Sequence, residues 1–142
     1  LAWSRGLGDV YKRQVSQLMA ETGLVVITAS ISPYRADRRI IRDRAGEHYH
    51  EIYVSADIET CEARDSKGNY KKARAGEIKN FTGLDASAPY ELPANPELII
   101  DTQENGIDFC VDQLVNYIEQ QIELGDLALD SQTKEQVLDY VV

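Results

Sequence analysis

Three short apolar runs separated by charged segments constrain the fold of this chain more than any other feature. They are Leu24–Ser30, Glu51–Ala56 and Glu97–Asp101. Runs of this length, rich in valine and isoleucine, are typical of strands buried in a parallel sheet. Because helical patterns lie between them, the sequence predicts an α/β fold with a parallel sheet and flanking helices.

Apolar residues recur at helical spacing in Val15–Thr22 and Ile107–Ile122, and Arg35–Ala45 is a charged segment that we expect to be helical. Gly23 is expected to end the first helix, and Asp57 is placed to cap the third. Lys67–Lys79 is expected to be a mobile lid with a helical centre, and residues 81–96, with three prolines, to be a loop. Helices are predicted at Val15–Thr22, Arg35–Ala45, Ile58–Arg64 and Ile107–Ile122.

A length of 142 residues suits one compact domain, which we place at residues 15–121. Residues 1–14 hold the only tryptophan and show no helical or strand period. They resemble translated sequencing-adapter sequence more than a natural flexible N-terminus, and we expect them to be non-native. Residues 122–142 are expected to form an acidic helical tail.

The charges are distributed unevenly along the chain, whose net charge is −9. Between Arg35 and Lys79 there are eleven basic side chains and nine acidic ones, whereas from Asn80 onward Lys134 stands alone against thirteen carboxylates. General nucleic-acid binding needs a broad basic face, so this pattern argues against that class. It favours a small anionic ligand gripped locally.

Neither a membrane span nor export is predicted, because no apolar run reaches the roughly 20 residues that cross a bilayer and no signal-peptide pattern opens the chain. Cys61 and Cys110 are far apart and lack the spacing of metal ligands. They are expected to be buried thiols of a cytoplasmic protein, not a disulfide or a metal site.

The segment Ile31–Arg38, ISPYRADR, directly follows the first predicted strand. Ligands of open α/β sheets bind at the carboxyl ends of strands, so this segment is placed to meet one. Ser32 offers a hydroxyl and a backbone N–H, and Arg35 and Arg38 offer forked donors for phosphate or sulfate oxygens. The alternative is a Ser-Pro turn that opens a helix whose arginines pair with nearby acids such as Asp37.

A second candidate is the basic stretch Arg64–Lys79, with six cations and two acids, followed by Asn80 and Phe81. A basic lid neutralises charge and excludes water during phosphoryl transfer. Phe81 could stack on a base. The alternatives are a solvated basic helix and a phenylalanine that anchors a loop to the core.

Taken in order, ISPYRADR, then RDSKGNYKKARAGEIKNFTGLD from Arg64, then PYE and NPELIIDT, resemble the adenylylsulfate kinases. The resemblance runs from about Val15 to about Gln120. It implies a P-loop nucleotide-kinase fold that moves the γ-phosphoryl group of ATP, with Mg²⁺, to the 3′-hydroxyl of adenylyl sulfate in sulfate assimilation. The family commonly forms homodimers.

The resemblance also implies roles for single residues. Ile31 and Ser32 match substrate contacts, and Ser32 matches a serine described as a phosphoserine intermediate, although direct in-line transfer needs no covalent step. The predicted substrate-binding residues are Ile31, Ser32, Arg35, Arg38, Lys67, Asn80 and Phe81. Those predicted to lie near ATP are Arg64, Lys71, Lys72, Arg74, Asn105 and Cys110. No metal ligand is predicted.

The chain departs from this family's pattern where the phosphates of ATP would be held. It contains no GxxGxGK[ST] sequence, and Gly6 and Gly8 lack the Gly-Lys-Ser/Thr that would complete one. Ser30 also stands where the family has phenylalanine. The chain alone is therefore expected to be inactive. A non-catalytic module for binding nucleotides or partners is the main alternative, and another small-molecule kinase is a third.

Overall fold

The computed structural model describes residues 12, 14–20, 22, 24–46 and 49–121. The chain divides into two compact units, Leu1–Tyr49 and His50–Val142, which we treat separately. The predictions for most of residues 1–14, for Gly23 as a helix stop and for the tail 122–142 lie outside the described residues. Within the described part of the chain, no helix is long and apolar enough to cross a bilayer.

The first unit contains helical residues 14–20 and helix α1, Arg35–Ala45, which has the predicted bounds. The predicted strand Leu24–Ser30 is wrong: residues 24–34 have no regular secondary structure. A strand exists only through hydrogen bonds to a neighbour, and the described residues supply none for this run. Its apolar side chains are consequently exposed, for example Ile27 at 51%.

The second unit is built on a parallel pair of strands, β1 (Ile52–Ser55) and β2 (Leu98–Asp101). They pair in register from Ile52 with Leu98 to Ser55 with Asp101. Both strands were predicted, each slightly longer than observed. The long connection between them follows from their parallel pairing, since such strands cannot be joined by a hairpin.

Three helices accompany this ladder: α2 (Ile58–Ala63), α3 (Asn69–Arg74) and α4 (Ile107–Gln121). Asp57 caps α2 as predicted, because its carboxylate accepts from the Thr60 N–H at 2.7 Å. The helical centre of the lid is confirmed by α3, and residues 81–96 form a loop. The α4 helix packs against β2.

The apolar core of the described residues is small. Only Ala88, Ile100 and Cys110 are buried apolar residues there. Val54, the ladder partner of Ile100, is 61% exposed. Because an isolated pair of strands buries little surface, this architecture gives limited stability.

We therefore predict that the 142-residue chain unfolds in a broad, weakly cooperative transition centred below about 45 °C, the lower edge for ordinary domains. Two open strand edges and few buried apolar side chains are the reason. Far-UV circular dichroism during heating measures it. A sharp transition at high temperature would show that the chain is stable as it stands.

Candidate functional site

In the first unit the predicted substrate loop is a tight turn at Ser32. Ser32 has φ +36°, in the left-handed region that few non-glycine residues adopt. Its carbonyl accepts from Nη1 of Arg38 at 2.5 Å, and its hydroxyl lies 2.7 Å from that of Ser30. The side chain of Arg38 is buried, at 6% exposure. Arg38 thus holds the turn in shape, which is nearer to the alternative of a structured turn than to an open anion site.

The other two predicted residues of this segment are accessible. Ile31 is 68% exposed and Arg35, at the first position of α1, is also exposed. An exposed apolar side chain and a guanidinium beside a fixed turn form a surface that a ligand could contact.

In the second unit, the carboxyl ends of β1 and β2 carry a polar cluster. Nη2 of Arg64 donates to the Thr102 carbonyl at 2.7 Å, and the Thr102 hydroxyl donates to the Ser55 carbonyl at 3.0 Å. Arg64, which ends α2, is therefore bound to Thr102, the residue that links the ends of the two strands. The Asn105 amide donates to the Asp101 carbonyl at 2.9 Å in the same cluster.

Gln103 ties this cluster to the start of α2, a contact that the sequence reasoning missed. Its amide nitrogen donates to Asp57 Oδ2 at 2.7 Å, and its amide oxygen accepts from the Asp57 N–H at 3.2 Å. The hydrogen bonds that Asp57 accepts, from Thr60 first and then from Gln103, hold the pKa of this carboxyl below its usual value. No local sequence signal pairs residues so far apart.

Cys110 lies beneath the same strand end. It is buried, with its sulfur 3.7 Å from the Asp101 carbonyl oxygen and 3.9 Å from that of Asn105. Asn105 and Cys110, both predicted to lie near the ATP adenine, are thus neighbours. Cys61 and Cys110 are both free thiols, but the expectation that both are buried is wrong for Cys61, which is only partly buried.

The lid begins with a turn held by one carboxylate. Asp65 accepts from the backbone N–H groups of Asn69 at 2.8 Å and Lys71 at 3.1 Å. These groups open α3, so Asp65 caps a helix that Gly68 enters with φ +67°. The pattern of an aspartate shortly before a glycine is a turn signal that could have identified this cap.

The predicted cations of the lid have different environments. Lys67, Lys71 and Lys72 are exposed, whereas Arg74 pairs with Glu62 at 2.7 Å. Glu62, Asp65, Tyr70, Lys71 and Arg74 line a depression of about 210 Å³. Because two carboxylates share this depression with the cations, it is not an anion pocket in the described conformation.

Asn80 and Phe81 begin a loop that is organised by Asp85. The Asn80 backbone has φ +54°, and its N–H donates to Asp85 Oδ2 at 3.2 Å. Asp85 Oδ1 accepts from the N–H and hydroxyl of Ser87, at 2.9 and 2.7 Å. These bonds, those from Ser87 first, lower the pKa of Asp85. Sequence reasoning missed Asp85 and Ser87, although Asp-x-Ser is a common turn pattern.

The ring of Phe81 packs against Tyr70 of α3. Their ring centroids are 4.8 Å apart at 65°, an edge-to-face contact. Burial raises the pKa of Tyr70 to about 12, assisted by a hydrogen bond to Cys61 and by the charges of Cys61, Asp65 and Glu62. The lid and the Phe81 loop are therefore in contact, and Tyr70, which the sequence did not single out, makes that contact.

Together these features place the protein in a class. A parallel α/β ladder with polar groups at its carboxyl edge, and a basic segment between its two strands, agree with the P-loop nucleotide-kinase fold of a solved APS kinase that the chain matches. The family model for adenylylsulphate kinase matches residues 10–101. The chain belongs to the adenylylsulphate kinase family.

Individual relatives agree with this assignment. The adenylyl-sulfate kinase of Staphylococcus carnosus is 51% identical over 110 residues, covering 76% of this chain and 54% of the relative. That of Marinobacter nauticus is 50% identical over 109 residues, covering 75% and 53%. The structure of the Mycobacterium tuberculosis APS kinase in complex with AMPPNP and APS matches with a TM-score of 0.69 and 34% identity, covering 75% of this chain and 62% of that one.

The chain thus spans about half the length of the curated relatives it matches. The family match begins at residue 10, inside the segment 1–14 that we expect to be non-native. That expectation, the boundaries of the domain and the roles of single residues stay predictions.

We predict that Tyr70 remains protonated to unusually high pH. Its folded pKa of about 12 exceeds the ordinary value of about 10. Its contribution to stability is therefore complete below about pH 10 and is lost as the pH rises from about 10 to about 12. In a spectrophotometric titration, the difference between the wild type and Tyr70→Phe should show a tyrosine that ionises near pH 12.

The denatured protein provides the control, because all of its tyrosines should ionise near pH 10. A difference curve centred near pH 10 under native conditions would show that Tyr70 is not shielded.

Proposed function

We propose that this chain provides the substrate side of an ATP-dependent kinase that phosphorylates the 3′-hydroxyl of adenylyl sulfate. The family match carries the proposal, because residues 10–101 include every residue predicted to contact the substrate. The Mycobacterium tuberculosis relative, solved with AMPPNP and APS, supports both a nucleotide and adenylyl sulfate as ligands.

The geometry suggests how the substrate would be held. Phe81 would stack on the adenine, with Asn80 fixed beside it in a left-handed conformation. The exposed Lys67 would face the anionic groups of the substrate. In the first unit, Ile31, Ser32, Arg35 and Arg38 are each proposed as substrate contacts, and Arg38 also keeps the Ser32 turn in shape.

The ATP side of the reaction is assigned less completely to this chain. The residues proposed to lie near ATP are Arg64, Lys71, Lys72, Arg74, Asn105 and Cys110. In the transfer, the 3′-oxygen forms a bond to the γ-phosphorus as the bond to ADP breaks. Mg²⁺ would accompany the ATP phosphates. The described residues hold no group of three potential metal ligands, so we assign none of them to the ion. A cytoplasmic location and a homodimer complete the proposal.

A non-catalytic binding module is the second candidate. It is favoured by one observation, namely that the sequence contains no GxxGxGK[ST] cradle for the ATP phosphates. When such a cradle is supplied, the first candidate predicts kinase activity and the second predicts none.

We predict that the chain alone does not form 3′-phosphoadenylyl sulfate from ATP and adenylyl sulfate. A chimera, in which residues 15–120 replace the matching segment of the Staphylococcus carnosus enzyme, should form it. Product formation is measured by chromatography. An inactive chimera that is folded would favour the binding module, and activity of the chain alone would contradict the need for the cradle.

In the same chimera, Phe81→Ala should raise the KM for adenylyl sulfate. Loss of base stacking costs about 1–3 kcal/mol, which corresponds to about 5- to 150-fold. Phe109→Ala is the matched control, since Phe109 is the other phenylalanine of the chain and is 58% exposed on α4. Equal KM values for the two variants would show that Phe81 does not stack on the substrate.

A further inference from the structure

We propose that Tyr70 is a positioning residue that fixes the ring of Phe81 and couples it to the basic lid helix α3. The inference rests on the proposed function, because it concerns the residue proposed to stack on the adenine of adenylyl sulfate. It names the side chain that holds this stacking surface in place.

The helix that carries Tyr70 depends on its neighbours. With six residues, α3 is too short to be stable by itself. It is held at its start by the two backbone hydrogen bonds to Asp65 and by the bond from the Gly68 N–H to the Asp65 carbonyl at 3.1 Å. Tyr70, at the second position of α3, therefore lies in a turn whose backbone is bound to Asp65 at Gly68 and at the two residues that flank Tyr70.

The ring of Tyr70 meets that of Phe81 edge to face, and the Tyr70 side chain is partly buried. At the other end of α3, Arg74 pairs with Glu62 of α2 at 2.7 Å. The helix that carries Tyr70 is thus held at both ends, and it gives the Phe81 ring a fixed neighbour.

Asp85 fixes the backbone just before Phe81, and Tyr70 contacts the Phe81 ring itself. Phe81 is only partly buried, so part of its ring is accessible to a planar ligand such as a purine. Because Tyr70 lies directly before Lys71 and Lys72, the helix that orients the ring also carries the lid cations. Binding of a base on Phe81 should therefore be transmitted to the lid.

The test uses the full chain labelled with fluorophenylalanine, which gives two fluorine resonances, from Phe81 and Phe109. Adenylyl sulfate is the probe, and the spectra are recorded at low temperature because the chain is expected to have limited stability. Tyr70→Leu should move the Phe81 resonance of the ligand-free chain, leave that of Phe109 in place, and weaken adenylyl sulfate binding by about 2- to 10-fold, the size of an aromatic pair. Tyr70→Phe, which keeps the ring, should retain the wild-type affinity within about two-fold.

The outcomes separate this inference from the proposed function. If adenylyl sulfate moves neither resonance of the wild type, the proposed function fails and the inference with it. If the wild type responds and Tyr70→Leu binds equally well, the inference alone is overturned, even where the Phe81 resonance has moved. If Tyr70→Leu unfolds, seen as loss of the native Phe109 resonance, Tyr70→His takes its place, and unchanged affinity in that variant overturns the inference.

Discussion

The parallel ladder between β1 and β2 is the interaction on which the second unit depends. It aligns Ser55 with Asp101, so that the residues following the two strands meet at one edge. Arg64 then bonds to Thr102, and Gln103 to Asp57, across segments that are distant in the sequence. Without this pairing, the position of α2 relative to β2 would not be fixed, and neither would the position of the lid that follows α2.

Three aspartates organise the loops around this ladder by the same chemistry. Asp57, Asp65 and Asp85 each accept hydrogen bonds from backbone N–H groups at the start of a helix or in a turn. A carboxylate used in this way satisfies donors that would otherwise face water. In a chain as acidic as this one, these aspartates shape the backbone, and the lysines of the lid lie at the surface.

The sequence predicted what local pattern controls. The β-branched runs identified β1 and β2, the charged segment after Tyr34 gave the bounds of α1, and the residue type of Asp57 gave the cap of α2. Leu24–Ser30 has the same composition but no partner strand in the described residues, and composition cannot supply one.

Long-range contacts account for the parts of the candidate site that were missed. Gln103 contacts Asp57, and Tyr70 contacts Phe81, only in the folded chain. No spacing in the sequence predicts these contacts. Arg38 was grouped with the anion donors because its residue type allows it, whereas its burial is a property of the folded turn. Residue type indicates which chemistry is possible, and packing decides which side chains are available for it.

The contact between Arg38 and the Ser32 carbonyl has a consequence for the conditions under which the turn persists. Arg38 belongs to α1, and its guanidinium reaches back six residues to the turn that precedes the helix. The turn is therefore held only while α1 is helical. Loss of this helix would release the Ser32 loop as well, so the two segments order together.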